Sequence, residues 1–160
     1  MNAYGETALH ATARGGLCNI AKSLLQQGAN PNIQTNSSSP QKSNAITSCR
    51  YRETPLHIAS TNGDYTFIKM FLESSIQTGP SLTSHVVDLA LRDSNGNTAL
   101  RIAMENSYFD TAEILISAGA DVNEIDSHGV PLLQQFILCK NHESSSFLIV
   151  SGHADVNLRA

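Results

Sequence analysis

The stretch Thr54-Pro55-Leu56-His57, followed at once by Ile58 and Ala59, decides how this chain folds. A threonine oxygen accepts the free N–H groups at the start of a helix, and proline fits the first helical turn. Three further stretches repeat the pattern with decreasing fidelity: Thr7-Ala8-Leu9-His10, Thr98-Ala99-Leu100-Arg101 and Pro131-Leu132-Leu133-Gln134. Leucine and alanine at helical spacing predict four short helices, each with one buried side.

A second recurring feature closes three of the four copies. Gly28-Ala29-Asn30-Pro31-Asn32, Gly119-Ala120-Asp121-Val122-Asn123 and Gly152-His153-Ala154-Asp155-Val156-Asn157 each combine a glycine with Asn or Asp. Glycine after a helix adopts the left-handed backbone at low cost, and Asn and Asp favour turns. Each copy is predicted to contain a second, outer helix, and in these three copies that helix ends in a tight hairpin.

These copies resemble the ankyrin repeat, a unit of about 33 residues with a β-turn, two helices and a Thr-Pro-Leu-His core. Gly96 and Gly129, which open two successive hairpins, lie 33 residues apart. One such unit cannot bury its apolar face alone, so neighbouring units must stack. The resemblance implies an all-α fold, an ankyrin-repeat solenoid of helix-turn-helix pairs with β-hairpin loops.

The chain is predicted to be a single ankyrin-repeat domain over residues 1–160, with two insertions that break the period. Arg52 takes the place of Gly5 in the second copy, 47 residues on, and Gly96 follows after another 44. The extra residues fall in a stretch rich in Ser, Asn and Thr and in one that contains Gly79-Pro80, and we expect extended hairpin loops there. The repeats are assigned to residues 2–34, 50–75, 93–124 and 126–157, and the insertions to 35–49 and 75–85.

The composition favours a binding module over an enzyme, a nucleic-acid binder or a membrane protein. The formal net charge is −4, whereas nucleic-acid binding usually requires a basic surplus. Only 6% of the residues are aromatic, which disfavours a large pocket for a small-molecule substrate. We find neither a secretory signal nor an apolar run of the roughly 18 residues that span a bilayer. Three widely spaced cysteines suit reduced thiols, so we expect a cytoplasmic protein. We expect no metal and no cofactor.

A closer resemblance rests on the order of details along the chain. Gly5 to His10, then Leu24 to Thr35 with a long loop after it, then Leu89-Ala90-Leu91-Arg92-Asp93-Ser94 are similar to the middle of the Rabankyrin family of ankyrin-repeat and FYVE-domain proteins. The resemblance implies a piece of a cytosolic scaffold on early endosomes that binds a Rab GTPase and acts in endocytosis and vesicle trafficking. The family's BTB-like domain, FYVE zinc finger and Asn-Pro-Phe motif are absent from this sequence. The alternative is a structural spacer of a long ankyrin array with no partner of its own.

A protein partner is expected on the concave surface that ankyrin stacks build from hairpin tips and the exposed edges of the inner helices. The residues concerned flank each opening glycine or lie seven or eight residues after each helix-start threonine. Tyrosine and arginine are frequent in binding hot spots, so Tyr4, Arg14, Arg50 and Tyr51 rank first. The full candidate set is Tyr4, Glu6, Arg14, Arg50, Tyr51, Glu53, Asn62, Asn95, Asn97, Glu105, Asn106, Ser127 and His128.

The histidines and cysteines fit structural roles better than chemical ones. His10 and His57 occupy the same position in two copies, where we expect the imidazole to bond to the backbone of the neighbouring hairpin rather than to a metal. No cysteine belongs to a C-x-x-C pair. Asn123 follows Leu115 at a spacing that resembles the site of the asparaginyl hydroxylase that modifies ankyrin hairpins, although Asn also stabilises turns unmodified. Ser39, before Pro40, is a candidate phosphorylation site.

Overall fold

The computed structural model describes residues 2, 5–36, 51–76, 86–126 and 128–158. These residues form α-helices in four consecutive pairs, as the sequence predicts. The first helix of each pair is the inner helix and the second is the outer helix. The pairs are α1 (Ala8–Gly15) with α2 (Cys18–Gln26), α3 (Pro55–Asn62) with α4 (Tyr65–Ile76), α5 (Ala99–Glu105) with α6 (Phe109–Ser117), and α7 (Leu132–Leu138) with α8 (His142–Val150).

The hairpins between the pairs are hydrogen-bonded turns. Within the described ranges, an isolated β-bridge between Ile125 and Pro131 is their only β-structure. Asp93 closes one hairpin: its N–H donates to the carbonyl of Asn97 (2.9 Å), and its carboxylate accepts the N–H of Asn97 (2.9 Å). The carboxylate of Asp126 holds the next hairpin in the same way. Carboxylate oxygens thus accept backbone N–H groups that paired strands would bond in longer hairpins.

Threonine starts three of the inner helices. The Oγ1 of Thr54 accepts the N–H of His57 (3.4 Å), and the Nδ1 of His57 accepts the N–H of Thr54 (3.2 Å). The Oγ1 of Thr98 accepts the N–H of Arg101 (3.2 Å). Caps of this kind satisfy an N–H group that the helix leaves unpaired and are typically worth ~1 kcal/mol. Pro131 takes this position before α7 and has no hydroxyl, so α7 begins without a side-chain cap.

Left-handed backbone recurs at equivalent places in all four repeats. Arg52 has φ 59° where Gly5 has φ 72°, which matches the predicted replacement of the opening glycine. Between the inner and outer helices, the turn residues with positive φ are Gly16, Gly63, Ser107 and Lys140. The left-handed conformation costs a non-glycine residue roughly 1–2 kcal/mol, so the stack imposes this backbone even where the side chain opposes it.

The core runs continuously between the inner and outer helices. One leucine position recurs in every inner helix, and its residues are at most 7% exposed: Leu9, Leu56, Leu100 and Leu133. On the buried side of α4, Phe67 and Phe71 fill the core, and their ring centroids stack at 5.4 Å. Helices α1, α3 and α5 pack side by side, and so do α2, α4 and α6. The fourth pair differs, because α7 and α8 pack against each other and make few backbone contacts with the helices of the third pair.

The edges of both insertions differ slightly from the prediction. Thr35, assigned to the first insertion, donates its N–H to the carbonyl of Glu53 (2.9 Å) and accepts the N–H of Arg52 (3.1 Å), so it belongs to the hairpin. Residue 75, where the assigned repeat and the assigned second insertion meet, and residue 76, assigned to the insertion, are the last residues of α4. Ser75 is buried there, and its hydroxyl donates to the carbonyl of Leu72 (2.7 Å). Asn36 is also described and is exposed, whereas residues 37–49, which include Ser39, and residues 77–85 lie outside the described residues.

Candidate functional site

Ten of the thirteen candidate partner-binding residues fall within the described part of the chain. Tyr4, Arg50 and Ser127 lie outside it. The others lie either in the hairpins or at the ends of the inner helices, and none of them is fully buried. For these ten residues, which are predicted to meet a partner, we use the name recognition face: Glu6, Arg14, Tyr51, Glu53, Asn62, Asn95, Asn97, Glu105, Asn106 and His128.

Glu6 and Arg14 form an ion pair across the inner helix of the first repeat. The Nη2 of Arg14 donates to the Oε1 of Glu6, and the Nδ2 of Asn2 donates to the other carboxylate oxygen (2.8 Å). The Arg14 side chain remains 61% exposed and that of Glu6 28% exposed. An exposed pair of this kind contributes only ~0–1 kcal/mol to stability. Because both side chains are at least partly exposed, their charges are accessible from solvent.

Two hairpin tips are held together by the backbone of Tyr51. Its N–H donates to the Oγ of Ser94 (2.9 Å), and its carbonyl accepts the N–H of Ser94 (2.7 Å). Asn95, the next residue of the recognition face, therefore lies beside Tyr51 although the two are far apart in sequence. This grouping follows from the stacking of repeats rather than from any local pattern.

The asparagines at the helix ends are engaged with the scaffold. The Nδ2 of Asn62 donates to the carbonyl of Ala13 (3.4 Å), which brings Asn62 next to Arg14 of the preceding repeat. The Nδ2 of Asn106 donates to the carbonyl of Ile102 in its own helix (2.8 Å). Each amide thereby satisfies a carbonyl near the end of an inner helix, and both side chains remain exposed.

Leu138 and Cys139 extend this surface into the fourth repeat, and the candidate set omitted them. They lie seven and eight residues after Pro131, the offsets that select Arg14 in the first repeat and Glu105 with Asn106 in the third. Leu138 is 67% exposed and Cys139 is also exposed. The spacing from Pro131 could have predicted both residues. The candidate positions are counted from the helix-start threonine, however, and the fourth repeat has Pro131 in its place.

The two equivalent histidines tie neighbouring repeats together, as predicted. The Nε2 of His10 bonds to the carbonyl of Glu53 (3.0 Å), and the Nε2 of His57 bonds to the carbonyl of Asn97 (3.1 Å). Because the Nδ1 of each ring accepts a threonine N–H, the proton sits on Nε2. Burial is the main cause that lowers the pKa of His10 below its ordinary value of 6.5. Among the described residues, no group of His, Cys, Asp and Glu could hold a metal ion.

The third repeat replaces this histidine with Arg101, which forms a buried ion pair. Its Nε donates to the Oε1 of Glu124 (3.1 Å), and its Nη1 donates to the Oε1 of Gln135. Arg101 is 2% exposed and Glu124 is 7% exposed. The Nη2 of Arg101 is buried and has no hydrogen-bond partner in the described part of the chain, which leaves the network incompletely satisfied.

Asn123 bridges two hairpins. Its Oδ1 accepts the N–H of Asp155 (2.7 Å), and Asn32 makes the equivalent bond to the N–H of Asp88 (2.9 Å). Hydroxylation of Asn123 stays a prediction, and the bridge gives the residue a structural role that needs no modification.

Comparisons with known proteins place these repeats among their relatives. The family model for three copies of the ankyrin repeat matches residues 38–126, and the model for a single ankyrin repeat matches residues 4–36. The chain is 34% identical to Rabankyrin-5 of Mus musculus over 143 residues, which are 85% of this chain and 12% of the relative. The Homo sapiens Rabankyrin-5 is 33% identical over 89% of this chain and 13% of its own length.

A second group of relatives is similar at lower identity. The Neurogenic locus notch homolog protein 1 of Mus musculus is 30% identical over 92% of this chain and 5% of its own length. The chain thus spans only a small part of each of these relatives. No helix of the described residues has the length and apolarity that crossing a bilayer requires.

Proposed function

The chain belongs to the ankyrin-repeat family, and we propose that it is a protein-interaction module whose partner docks on the recognition face. One observation carries the proposal. Seven residues after Thr7, Thr54, Thr98 and Pro131, all four repeats place an exposed side chain whose chemistry changes from repeat to repeat. The four are Arg14 and Glu105, which belong to the recognition face, and Thr61 and Leu138, at the equivalent positions. The leucine position two residues after the start is kept and buried in every repeat. A constant core under a variable exposed row suits recognition of one particular partner.

A Rab GTPase of early endosomes is the partner we propose, with a role in endocytosis and vesicle trafficking. The identity to Rabankyrin-5 exceeds that to the Notch proteins, and the loop and insertion pattern resembles the same family. The recognition face offers paired charges at Glu6 and Arg14 and an aromatic ring at Tyr51, and Leu138 adds an exposed apolar side chain outside the defined set. Mixed surfaces of this kind are typical of transient protein interfaces.

A binding assay with purified Rab GTPases tests both levels of the proposal. Early-endosomal Rab proteins are loaded with GDP or with a non-hydrolysable GTP analogue and incubated with the 160-residue chain. We expect binding in the GTP state, and Arg14→Glu with Tyr51→Ala to weaken it by at least about tenfold, as hot-spot substitutions do. Lys22→Glu is the matched control, because Lys22 is an exposed cation on the outer helix α2, away from the recognition face.

The outcomes separate the candidate functions. Equal binding to GDP- and GTP-loaded proteins would remove the Rab-effector role while leaving the interaction module. Binding that survives the double substitution would move the partner away from the recognition face. A chain that binds none of the GTPases would favour the structural spacer.

A further inference from the structure

A shallow cleft lies at the short turns that connect inner helices to outer helices, and not at the hairpins. It has a volume of about 240 Å³ and is formed by the turn after α3 and the turn after α5. Gly63, Tyr65, Ser107, Tyr108 and Asp110 line it, and we call it the turn cleft. It shares no residue with the recognition face.

In the wall of the cleft, a tyrosine lies against a glycine. Gly63 has φ 66°, and a Cβ added there would come within 2.9 Å of the Tyr108 ring. At the preceding junction the same place is taken by the Asp64 carboxylate against Gly16. Tyr65 and Tyr108 are 42% and 39% exposed, so two of the three aromatic rings that line the cleft are exposed to solvent.

The charge of the cleft is negative. Asp110 lies in the first turn of α6 and is exposed, and the residues that line the cleft include no lysine or arginine. Aromatic faces attract cations through their negative π-surface, and a nearby carboxylate adds a direct Coulomb attraction. The volume is below the ~300 Å³ at which small-molecule sites begin, so one side chain of a partner suits it better than a metabolite.

We propose that the turn cleft receives an arginine side chain of a protein partner, with the guanidinium over the tyrosine rings and hydrogen-bonded to the Asp110 carboxylate. Arginine is preferred to lysine, because its flat guanidinium stacks on rings and forms paired bonds to a carboxylate. The chain therefore carries a second binding surface, which can act together with the recognition face or without it.

An NMR titration of the uniformly ¹⁵N-labelled chain tests the site with N-acetyl-arginine amide as the probe. N-acetyl-citrulline amide, the neutral isostere, is the matched control at equal ionic strength. One isolated side chain binds weakly, so the readout is the initial slope of shift against concentration up to about 100 mM. We expect shifts at the amides of Gly63, Ser107 and Tyr108, with slopes about two- to fivefold smaller for citrulline.

Substitutions in the cleft refine the test. Tyr65→Ala and Asp110→Asn each lower the slope by about two- to fivefold. Tyr108→Phe keeps the ring against Gly63 and retains binding. Glu113→Gln removes another exposed carboxylate of α6 that does not line the cleft, and it leaves the slope unchanged. Equal slopes for the two probes, or shifts that spare the cleft amides, would overturn the proposal.

Discussion

Three residues after the helix-start position, one side chain in each of the first three repeats ties that repeat to the next. His10 and His57 use a neutral imidazole whose two nitrogens are both engaged, one by the helix start and one by the next hairpin. Arg101 stands at the same position in the third repeat, where it pairs with Glu124 at the end of that repeat and donates to Gln135 of the fourth. The first two junctions therefore depend on an uncharged ring, whereas the third depends on two buried charges.

The neutral ring makes stability depend on pH. Burial holds the pKa of His10 below 6.5 in the folded chain, so the unfolded chain binds more protons around that pH. The stability is then fully present above the unfolded pKa and is lost as pH falls below it. We expect a lower free energy of unfolding at about pH 5.5 than at about pH 7.5, measured by urea denaturation.

His10→Gln is the control for this pH dependence, because Gln134 occupies the same position in the fourth repeat. It should cost about 1 kcal/mol at the higher pH through the altered hydrogen bonds and should flatten the pH dependence. Asp126 does not interfere, because hydrogen bonding, first to the Val130 N–H, lowers its pKa below 3.8. A His10→Gln chain with the full pH dependence of the parent would assign the effect to other groups.

The buried ion pair predicts strong coupling between positions 101 and 124. The residues equivalent to Glu124 in the first two hairpins are Ile33 and Leu91, which accompany His10 and His57. Arg101→His or Glu124→Ile alone leaves a buried charge unpaired and should cost about 3–5 kcal/mol. The double variant restores the combination of the first repeat, so its cost should be far below the sum. A urea-denaturation double-mutant cycle measures this, and additive costs would show that the pair is not coupled.

At the scale of elements, an asparagine bridge joins successive hairpins, and one bridge is missing. Asn32 and Asn123 each accept an N–H of the following hairpin, but the equivalent residue between them is Ala90. A cavity of about 470 Å³ lies there, lined by Leu89, Ala90, Asn123 and Glu124 among others. A methyl group cannot reach the neighbouring backbone, so this junction is held by the helices and by the bond from Arg92 to the carbonyl of Ile125 (2.7 Å).

Ala90→Asn should therefore stabilise the chain. The new amide can accept the N–H of Asp121, as Asn32 accepts that of Asp88, and such a bond contributes about 0.5–1.5 kcal/mol. Thermal unfolding measures the gain as a higher Tm. Asn32→Ala is the matched loss and should lower Tm by a similar amount. If Ala90→Asn were neutral while Asn32→Ala destabilised the chain, the two hairpins would be too far apart for the bridge.

The helix pairs could be predicted from the sequence because their signals are local. Thr54 and Thr98 mark helix starts within one turn, and the offset of Arg52 alone places it in a left-handed position. The Arg101–Glu124 pair could not be predicted, because it joins residues 23 positions apart whose meeting depends on how two repeats pack. Leu138 was not predicted at the candidate site, because Pro131 replaces the threonine that marks the helix start in the other three repeats.

At the scale of the whole molecule, the stack behaves as a row of units whose stability depends on their neighbours. Ala13, Ser60 and Met104 are fully buried at one recurring inner-helix position, whereas Ile137 is 55% exposed there in the fourth repeat. The fourth repeat also has no threonine cap, and Lys140 and His153 both have positive φ. Its attachment to the third repeat rests on a few specific contacts, including the stacked rings of Phe109 and Phe147 at 5.1 Å.

Hydrogen exchange should resolve this difference within the 160-residue chain. Amides of α7 and α8 should exchange at least about tenfold faster than those of α3 to α5, because fewer contacts must break for the fourth pair to open. Phe147→Ala removes the ring stack and should accelerate exchange in α7 and α8 while leaving α1 to α4 unchanged. Asn32→Ala, at the other end of the stack, should leave α7 and α8 unaffected. If Phe147→Ala accelerated exchange equally in every helix, the chain would open as one cooperative unit, and the row of separable repeats would be the wrong description.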